Sequence, residues 1–280
     1  MRITHLSDLH FGHHDEDLAA GLAHDLSSQN PDLVVVSGDF TQLGSRREFM
    51  AAHAFLKELT VPFLAVPGNH DVPAYNLFKR FTDPYARYRK FVSDEVEPFV
   101  EMEGVAIAGL KTARRVRAGL NWAHGSISKS QLRELRQRFR QADPNSVRVV
   151  VAHHPLLWPE EQMMKPMPLV KRADLALRTF GELGVRLVLS GHFHMSYVRR
   201  HENPGEVRVA QPSGARRPTA APILVAQTSS TISTRLRGHA NAYNLIDIAN
   251  GYITVTVREW QDNAWVTRET ASEKAVLNHE

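Results

Sequence analysis

Cysteine is absent from this 280-residue chain. That excludes a disulfide framework and any thiolate metal site, so a metal would have to rest on oxygen and nitrogen donors. Long apolar runs are missing as well, and none approaches the roughly 20 residues a membrane-spanning helix needs. The first strand-like run begins at Arg2, so no signal peptide is expected and a cytoplasmic setting is. Strong charge of one sign is also lacking: 34 Lys and Arg stand against 30 Asp and Glu. The basic residues are scattered, with small clusters at Arg114-Arg115-Val116-Arg117 and Arg199-Arg200. A nucleic-acid protein concentrates its basic charge in a stripe, so no extended nucleic acid is an expected partner. The 42% hydrophobic content is ordinary for a chain that packs a core.

What the chain does have is a set of five strand-like runs that end in metal-binding residue types. Arg2 to Ser7 leads into Asp8-Leu9-His10, and Leu33 to Gly38 leads into Asp39. Phe63 to Gly68 leads into Asn69-His70-Asp71. Val147 to Ala152 leads into His153-His154-Pro155, and Val185 to Gly191 leads into His192-Phe193-His194. Short β-branched runs alternating with helical stretches predict a sheet whose strand ends lie side by side. Ligands of open α/β sheets bind outside those carboxyl ends.

The helical stretches are legible from spacing and caps. Asp15 to Ser28 carries Leu18, Leu22 and Leu26 at helical intervals, and Arg46 to Leu59 places Phe49, Phe55, Leu56 and Leu59 on one side. Ser128 is a plausible N-cap for a helix over Lys129 to Gln141. Val105 to Leu110 reads as a strand, and Leu175 to Leu183 leads into the run before His192. Pro73 to Phe99, rich in aromatics (Tyr75, Phe78, Phe81, Tyr85, Tyr88, Phe91), reads as helical segments after a ligand loop. Pro155 to Lys171 reads as an irregular loop, a packed connection in the first instance and a pocket rim or dimer contact in the second. Beyond Ile223, alternation in Ile223–Gln227, Tyr243–Ile248 and Tyr252–Val257 predicts consecutive antiparallel strands that complete a second sheet, with Asn250-Gly251 as a hairpin turn. No repeat or linker interrupts the chain, so one domain over 1–280 is expected.

Asp8 and His10, two apart in an extended run, would project to one side, and His192 and His194 repeat the spacing. Asp39 offers two oxygens, enough to bridge two cations. Paired metals roughly 3.5–4 Å apart hold a phosphate, acidify a bridging water and stabilise an in-line displacement. The chemistry expected is metal-assisted hydrolysis of a phosphate ester.

The series Asp8-x-His10, Gly38-Asp39, Gly68-Asn69-His70-Asp71, His153-x-Pro155 and Gly191-His192-x-His194 resembles the calcineurin-like metallophosphoesterase superfamily, in family order over about two thirds of the chain. The resemblance implies an α/β four-layer αββα sandwich, two mixed sheets flanked by helices. It implies one metal on Asp8, His10, Asp39 and His194, and a second on Asp39, Asn69, His153 and His192. The ions would be divalent or trivalent, Mn2+, Fe2+/Fe3+ or Zn2+. His70 would bind the phosphate or protonate the leaving alkoxide, with Asp71 as its orienting partner, and a metal-bridging hydroxide would attack. His13, His14 and His154 lie beside motif positions and read as loop or supporting residues; His5, His24, His53, His124, His201, His239 and His279 lack motif support. Arg235 and Arg237 read as surface charge by default, with substrate anions as the alternative.

Departures narrow the branch. Gly38-Asp39-Phe40-Thr41-Gln42 lacks the tyrosine of purple acid phosphatases and the Asp-Arg-Gly of Ser/Thr protein phosphatases. Asn69-His70 differs from the Asn-Arg of the UDP-diacylglucosamine hydrolases. What stays similar is the bacterial class III cyclic-nucleotide phosphodiesterase group, often dimeric, which implies a small phosphodiester substrate, 3′,5′-cAMP-like as the best single choice, and a homodimer as one arrangement. A UDP-sugar-lipid pyrophosphatase or a glycerophosphodiesterase is the alternative within the superfamily. A non-catalytic scaffold of the same fold is the alternative from another class.

Overall fold

The computed structural model describes residues 1–73, 76–114, 123–161, 163, 167–202 and 221–275. Tyr75, Arg115, Arg117 and His279, singled out in the sequence, lie outside the described residues. One sheet runs in the order β12 (Ala264–Lys274), β11 (Tyr252–Gln261), β10 (Ala242–Ala249), β1 (Arg2–Leu6), β2 (Leu33–Val36), β3 (Phe63–Ala65). The other runs β4 (Phe99–Met102), β5 (Val105–Leu110), β6 (Val147–Ala152), β7 (Val185–Ser190), β9 (Ile223–Gln227), β8 (Tyr197–His201). Both are mixed: β1–β2–β3 and β5–β6–β7–β9 are parallel, and the flanking pairs are antiparallel.

Period-two alternation explains the layers. In β2, Leu33 and Val35 point into a core between the two sheets, with Ile3, Leu64, Val149, Val151, Leu187 and Leu189. Val34 and Val36 point the other way, onto α1 (Glu16–Gln29) and α2 (Arg46–Glu58) through Leu22, Leu26, Phe49 and Phe55. Likewise Val150 and Val188 meet α5 (Lys129–Gln141) and α6 (Ala173–Glu182) through Leu135, Phe139 and Phe180. Three apolar layers thus separate four structural ones, the expected αββα sandwich. Caps set the helix starts: Asp15 accepts from Leu18 N, while Ser45 with Glu48, and Ser128 with Gln131, close capping boxes.

Pro73–Phe99 contains α3 (Leu77–Thr82) and α4 (Ala86–Phe91), the helical segments expected there. The C-terminal strands need correction. β9 does not form a hairpin with β10; it lies parallel to β7 in one sheet, whereas β10, β11 and β12 extend the sheet of β1. Local alternation predicts a strand but not its neighbour, and β1 offers its free side to β10 just as β7 offers its own to β9. Asn250-Gly251 is the expected turn, both residues left-handed at φ 52° and 75°. Among the described residues no helix is long and apolar enough to cross a membrane.

Candidate metal centre

The parallel strands end together, and their loops continue the pairing past the strand ends. Asp8 N donates to Gly38 O, His10 N to Asp39 O and Gly191 N to His153 O, each at 3.0 Å. Asp8, His10, Asp39, His192 and His194 all adopt left-handed backbone, φ 48° to 72°. This corrects the extended geometry expected from the two-residue spacings. The side chains converge because each turn is curled inward, a strained backbone characteristic of functional sites. Close approach also demands glycine: a Cβ on Gly191 would sit 1.9 Å from Ser7 Oγ, and one on Gly68 2.1 Å from Asp39 Oδ1.

Asp8, His10 and His194 form one cluster, fully or almost fully buried. His10 Nε2 lies 3.3 Å from His194 Nε2, and Asp8 Oδ1 lies 3.2 Å from His194 Nε2 and 3.7 Å from His10 Nε2. His194 Nδ1 is 2.9 Å from Arg235 O and His10 Nδ1 is 3.2 Å from Thr41 O. A carbonyl can only accept, so each Nδ1 carries a hydrogen and each ring turns its Nε2 toward the cluster. Asp8 Oδ2 is held by Ser7 Oγ and His192 N at 2.6 and 2.8 Å.

Asp39 stands between this cluster and the next. Its Oδ2 is 3.9 Å from His10 Nε2 and 3.2 Å from His153 Nε2, while Oδ1 accepts from His70 N at 2.8 Å. His153 Nε2 also lies 3.1 Å from Asn69 Oδ1, with Nδ1 donating to Ser37 O at 2.9 Å. The His192 ring is 5.1 Å from that of His153. The seven expected ligands therefore converge on one place, six of them buried and Asn69 half-buried.

Burial would raise the carboxyls of Asp8 and Asp39, but the surrounding histidines hold both well below the usual range. Burial opposes the charged form of His153, yet Asp39 prevails and lifts it to about 9. The pocket draws positive charge. Asp8 Oδ1, buried with no hydrogen-bond partner, faces the two Nε2 atoms, so with both rings as Nδ1–H tautomers three lone-pair donors converge and need a cation or a proton between them. That arrangement suits a cation and is otherwise repulsive. The donors are oxygen and imidazole nitrogen, the set for first-row transition ions. One donor atom from each of Asp8, His10 and His194 lies within 4.8 Å of the others, and the same holds for Asp8, Asp39 and His153.

His70 lies at the rim, its ring edge-on to His10 at 4.9 Å. Burial lowers it from its ordinary value, with Asp39 opposing. Its Nδ1 donates to Gln42 O at 2.6 Å. The expectation that Asp71 orients this ring is corrected here. Asp71 accepts from Thr41 N and Gly68 N at 3.0 and 2.9 Å, and Thr41 Oγ1 lies 3.1 Å away. It fixes the loop whose Thr41 and Gln42 carbonyls hold His10 and His70. Burial, then Asp39, push Asp71 up to about 7.

His154 is buried beside His192 but is committed elsewhere. Its Nε2 donates to Ala123 O at 3.0 Å, leaving Nδ1 to accept from Thr112 Oγ1 at 2.7 Å. Burial lowers it to about 3. It is a packed supporting residue, as is His5, held by Ser37 Oγ and Asn244. His13 contributes its carbonyl, which accepts from Thr234 N at 2.8 Å, and the His14 ring packs on Phe11 at 4.7 Å. Sequence reasoning missed Thr41, Gln42 and Thr112, which act through backbone carbonyls or as a lone hydroxyl and carry no motif. It took surface charge as the default for Arg235 with substrate anions as the alternative, and Arg235 Nη1 is 3.2 Å from His70 Nε2.

Two facing mixed sheets with paired Asp/His clusters at one edge define an αββα protein built for metal-supported chemistry. The family profile for calcineurin-like phosphoesterases matches residues 1–196, and the chain belongs to that family. It is 28% identical over 181 residues to a probable cyclic nucleotide phosphodiesterase of Synechococcus, covering 65% of each chain. Over 82 residues it is 39% identical to the glycerophosphodiester phosphodiesterase GpdQ of Enterobacter lignolyticus, 25% of this chain and 30% of that one. The chain thus spans less than two thirds of the length of either relative. A dimetal phosphatase of Danio rerio shares the fold at 12% identity, with a TM-score of 0.66 over 98% of this chain and 99% of that one.

Proposed function

We propose that the chain is a dinuclear-metal phosphodiesterase acting on a small phosphodiester. Asp8, His10, Asp39 and His194 would hold one ion, and Asp39, Asn69, His153 and His192 the other, with Mn2+, Fe2+/Fe3+ and Zn2+ all compatible with these donors. The observation that carries the reading is Asp39, one carboxylate oxygen of which reaches toward both His10 and His153. When bound, such ions acidify water and neutralise the charge developing on a phosphoryl group.

The chain's own part follows from its contacts. Asp8 and Asp39 stay ionised, and the Nδ1–H donations of His10, His153 and His194 aim their Nε2 atoms inward. Gln42 O holds His70 through Nδ1–H and turns its Nε2 into the site, where the ring, once it has taken up a proton at Nε2, would pass it to the departing alkoxide. Asp71 is a positioning residue for that loop. One domain over 1–280 is part of the proposal, supported by β1 pairing with β10 and β7 with β9; a homodimer is the assembly to test.

For substrate, a 3′,5′-cAMP-like cyclic nucleotide leads, supported by the Synechococcus relative. A glycerophosphodiester is the second reading, supported by the GpdQ relatives. A UDP-sugar-lipid pyrophosphatase ranks third because His70 stands where that branch has arginine. The test is a hydrolysis panel on metal-reconstituted protein, comparing 2′,3′- and 3′,5′-cyclic nucleotides, glycerophosphodiesters and UDP-diacylglucosamine. Preference for a cyclic nucleotide, lost in Asn69→Ala, supports the leading reading. Metal-free purification and intact bis(p-nitrophenyl) phosphate would instead identify a scaffold.

A further inference from the structure

Residues 228–241 form a segment between β9 and β10 that is tied down along its length. Thr231 N donates to Ser7 O at 3.0 Å, Ser230 Oγ to Asp8 O at 2.7 Å, and Thr234 N to His13 O at 2.8 Å. Asn241 Nδ2 donates to the carbonyls of Ser230 and Ser233 at 3.1 and 2.9 Å. Two half-buried arginines project from it. Arg235 gives its carbonyl to His194 Nδ1 and sets Nη1 3.2 Å from His70 Nε2. Arg237 Nη1 donates to Met167 Sδ. Neither is ion-paired with a carboxylate among the described residues, and their partners are a ring nitrogen and a thioether, weak matches for a guanidinium. Burial lowers Arg237, and Arg235 lowers it further, whereas Asp8 and Asp39 act on it in the opposite sense. The two cations repel each other, and Arg237 also feels both carboxylates of the centre. An anion between them would relieve that repulsion.

Resting on the phosphodiesterase reading, we infer that Arg235 and Arg237 form a guanidinium clamp that binds the phosphoryl oxygens of the substrate and holds the phosphomonoester product more tightly than the diester. Arg235 exchanges His70 Nε2 for a phosphoryl oxygen when substrate arrives. That exchange frees the ring edge on the leaving-group side. The monoester product carries one more negative charge than the diester, and two guanidinium forks reward that charge. The clamp therefore makes product inhibition a built-in property of the site.

The test measures KM for bis(p-nitrophenyl) phosphate and Ki for its product, p-nitrophenyl phosphate, in metal-loaded wild type, Arg235→Ala, Arg235→Lys and Arg237→Ala. Wild-type Ki is expected below KM. Each alanine variant should raise Ki about ten- to hundred-fold, and KM by less. Arg235→Lys, keeping charge without the fork, should recover part of the loss. A fall in kcat with Ki unchanged would overturn the clamp and leave Arg235 as a support for His70. Calorimetric titration of orthophosphate into metal-loaded protein separates the clamp from the phosphodiesterase reading. If wild type hydrolyses no diester, the phosphodiesterase reading fails, while phosphate binding weakened in both alanine variants still supports the clamp. Binding equal in all four proteins removes it.

Discussion

The space between the two sheets has two ends, equally buried and opposite in chemistry. Its interior is closed by Ile3, Leu33, Val35, Val149, Val151, Leu187 and Leu189, every one nearly inaccessible. Its carboxyl edge is closed by Asp8, Asp39, His153, His192 and His194, just as inaccessible. The strands run through the first and end at the second. The apolar end is in relaxed strand geometry and stabilises the fold through area removed from water. The polar end is curled into left-handed turns, with lone pairs facing one another. The contrast teaches that the apolar end supplies the stability that lets the other end stay strained.

That division can be broken by experiment. The largest expected effect is at Asp39: Asp39→Ala should lower diester turnover about a thousandfold or more, with far-UV circular dichroism unchanged. Unaltered turnover would remove the shared carboxylate from the mechanism. Leu187→Ala, at a fully buried interior position, should cost about 2–5 kcal/mol in urea unfolding while the folded fraction keeps its kcat. A kcat loss exceeding the unfolded fraction would show that the two ends are coupled. His70→Ala should slow alkyl diesters about a hundredfold and p-nitrophenyl diesters less, because only a poor leaving group needs the proton. Equal losses would argue against the acid role.

The smallest effect concerns His5, a polar group inside the apolar half. Burial lowers its pKa from 6.5 to about 3 in the folded protein. Above pH 6.5 both states are neutral and the contribution of His5 is whole. As pH falls from 6.5 toward 3, the unfolded chain takes a proton that the fold refuses. Stability then drops by up to about 1.4 kcal/mol per pH unit. Urea midpoints at pH 7 and 5 should differ less in His5→Gln than in wild type; an unchanged difference would count against it.

Much of this was legible in the sequence, for identifiable reasons. The ligands could be read because each follows a strand-like run, and Ser128 because a cap is a local signal. What escaped acts at a distance. Thr41 and Gln42 hold ring nitrogens with carbonyls, which no side-chain identity announces. β12 escaped because Ala264–Lys274 is an edge strand whose two faces are both mostly polar, leaving little alternation to read. β8, Tyr197–His201, is likewise an edge strand rich in Arg and His. The sheet that β9 joins depends on which strand has a free edge, a property of the whole fold.

The pairing of β1 with β10 sets the order in which the protein can be made. Residues 2–5 find one neighbour within the first 36 residues but wait for residues 244–247 for the other. Loop closure over such a separation is slow, and the strand that carries Asp8 and His10 toward the centre stays open on one side until it is complete. The segment with Arg235 arrives in the same late step. Synthesis can therefore release all seven expected ligands before the site is closed, and a growing chain would become competent for metal and substrate only as β10 docks on β1.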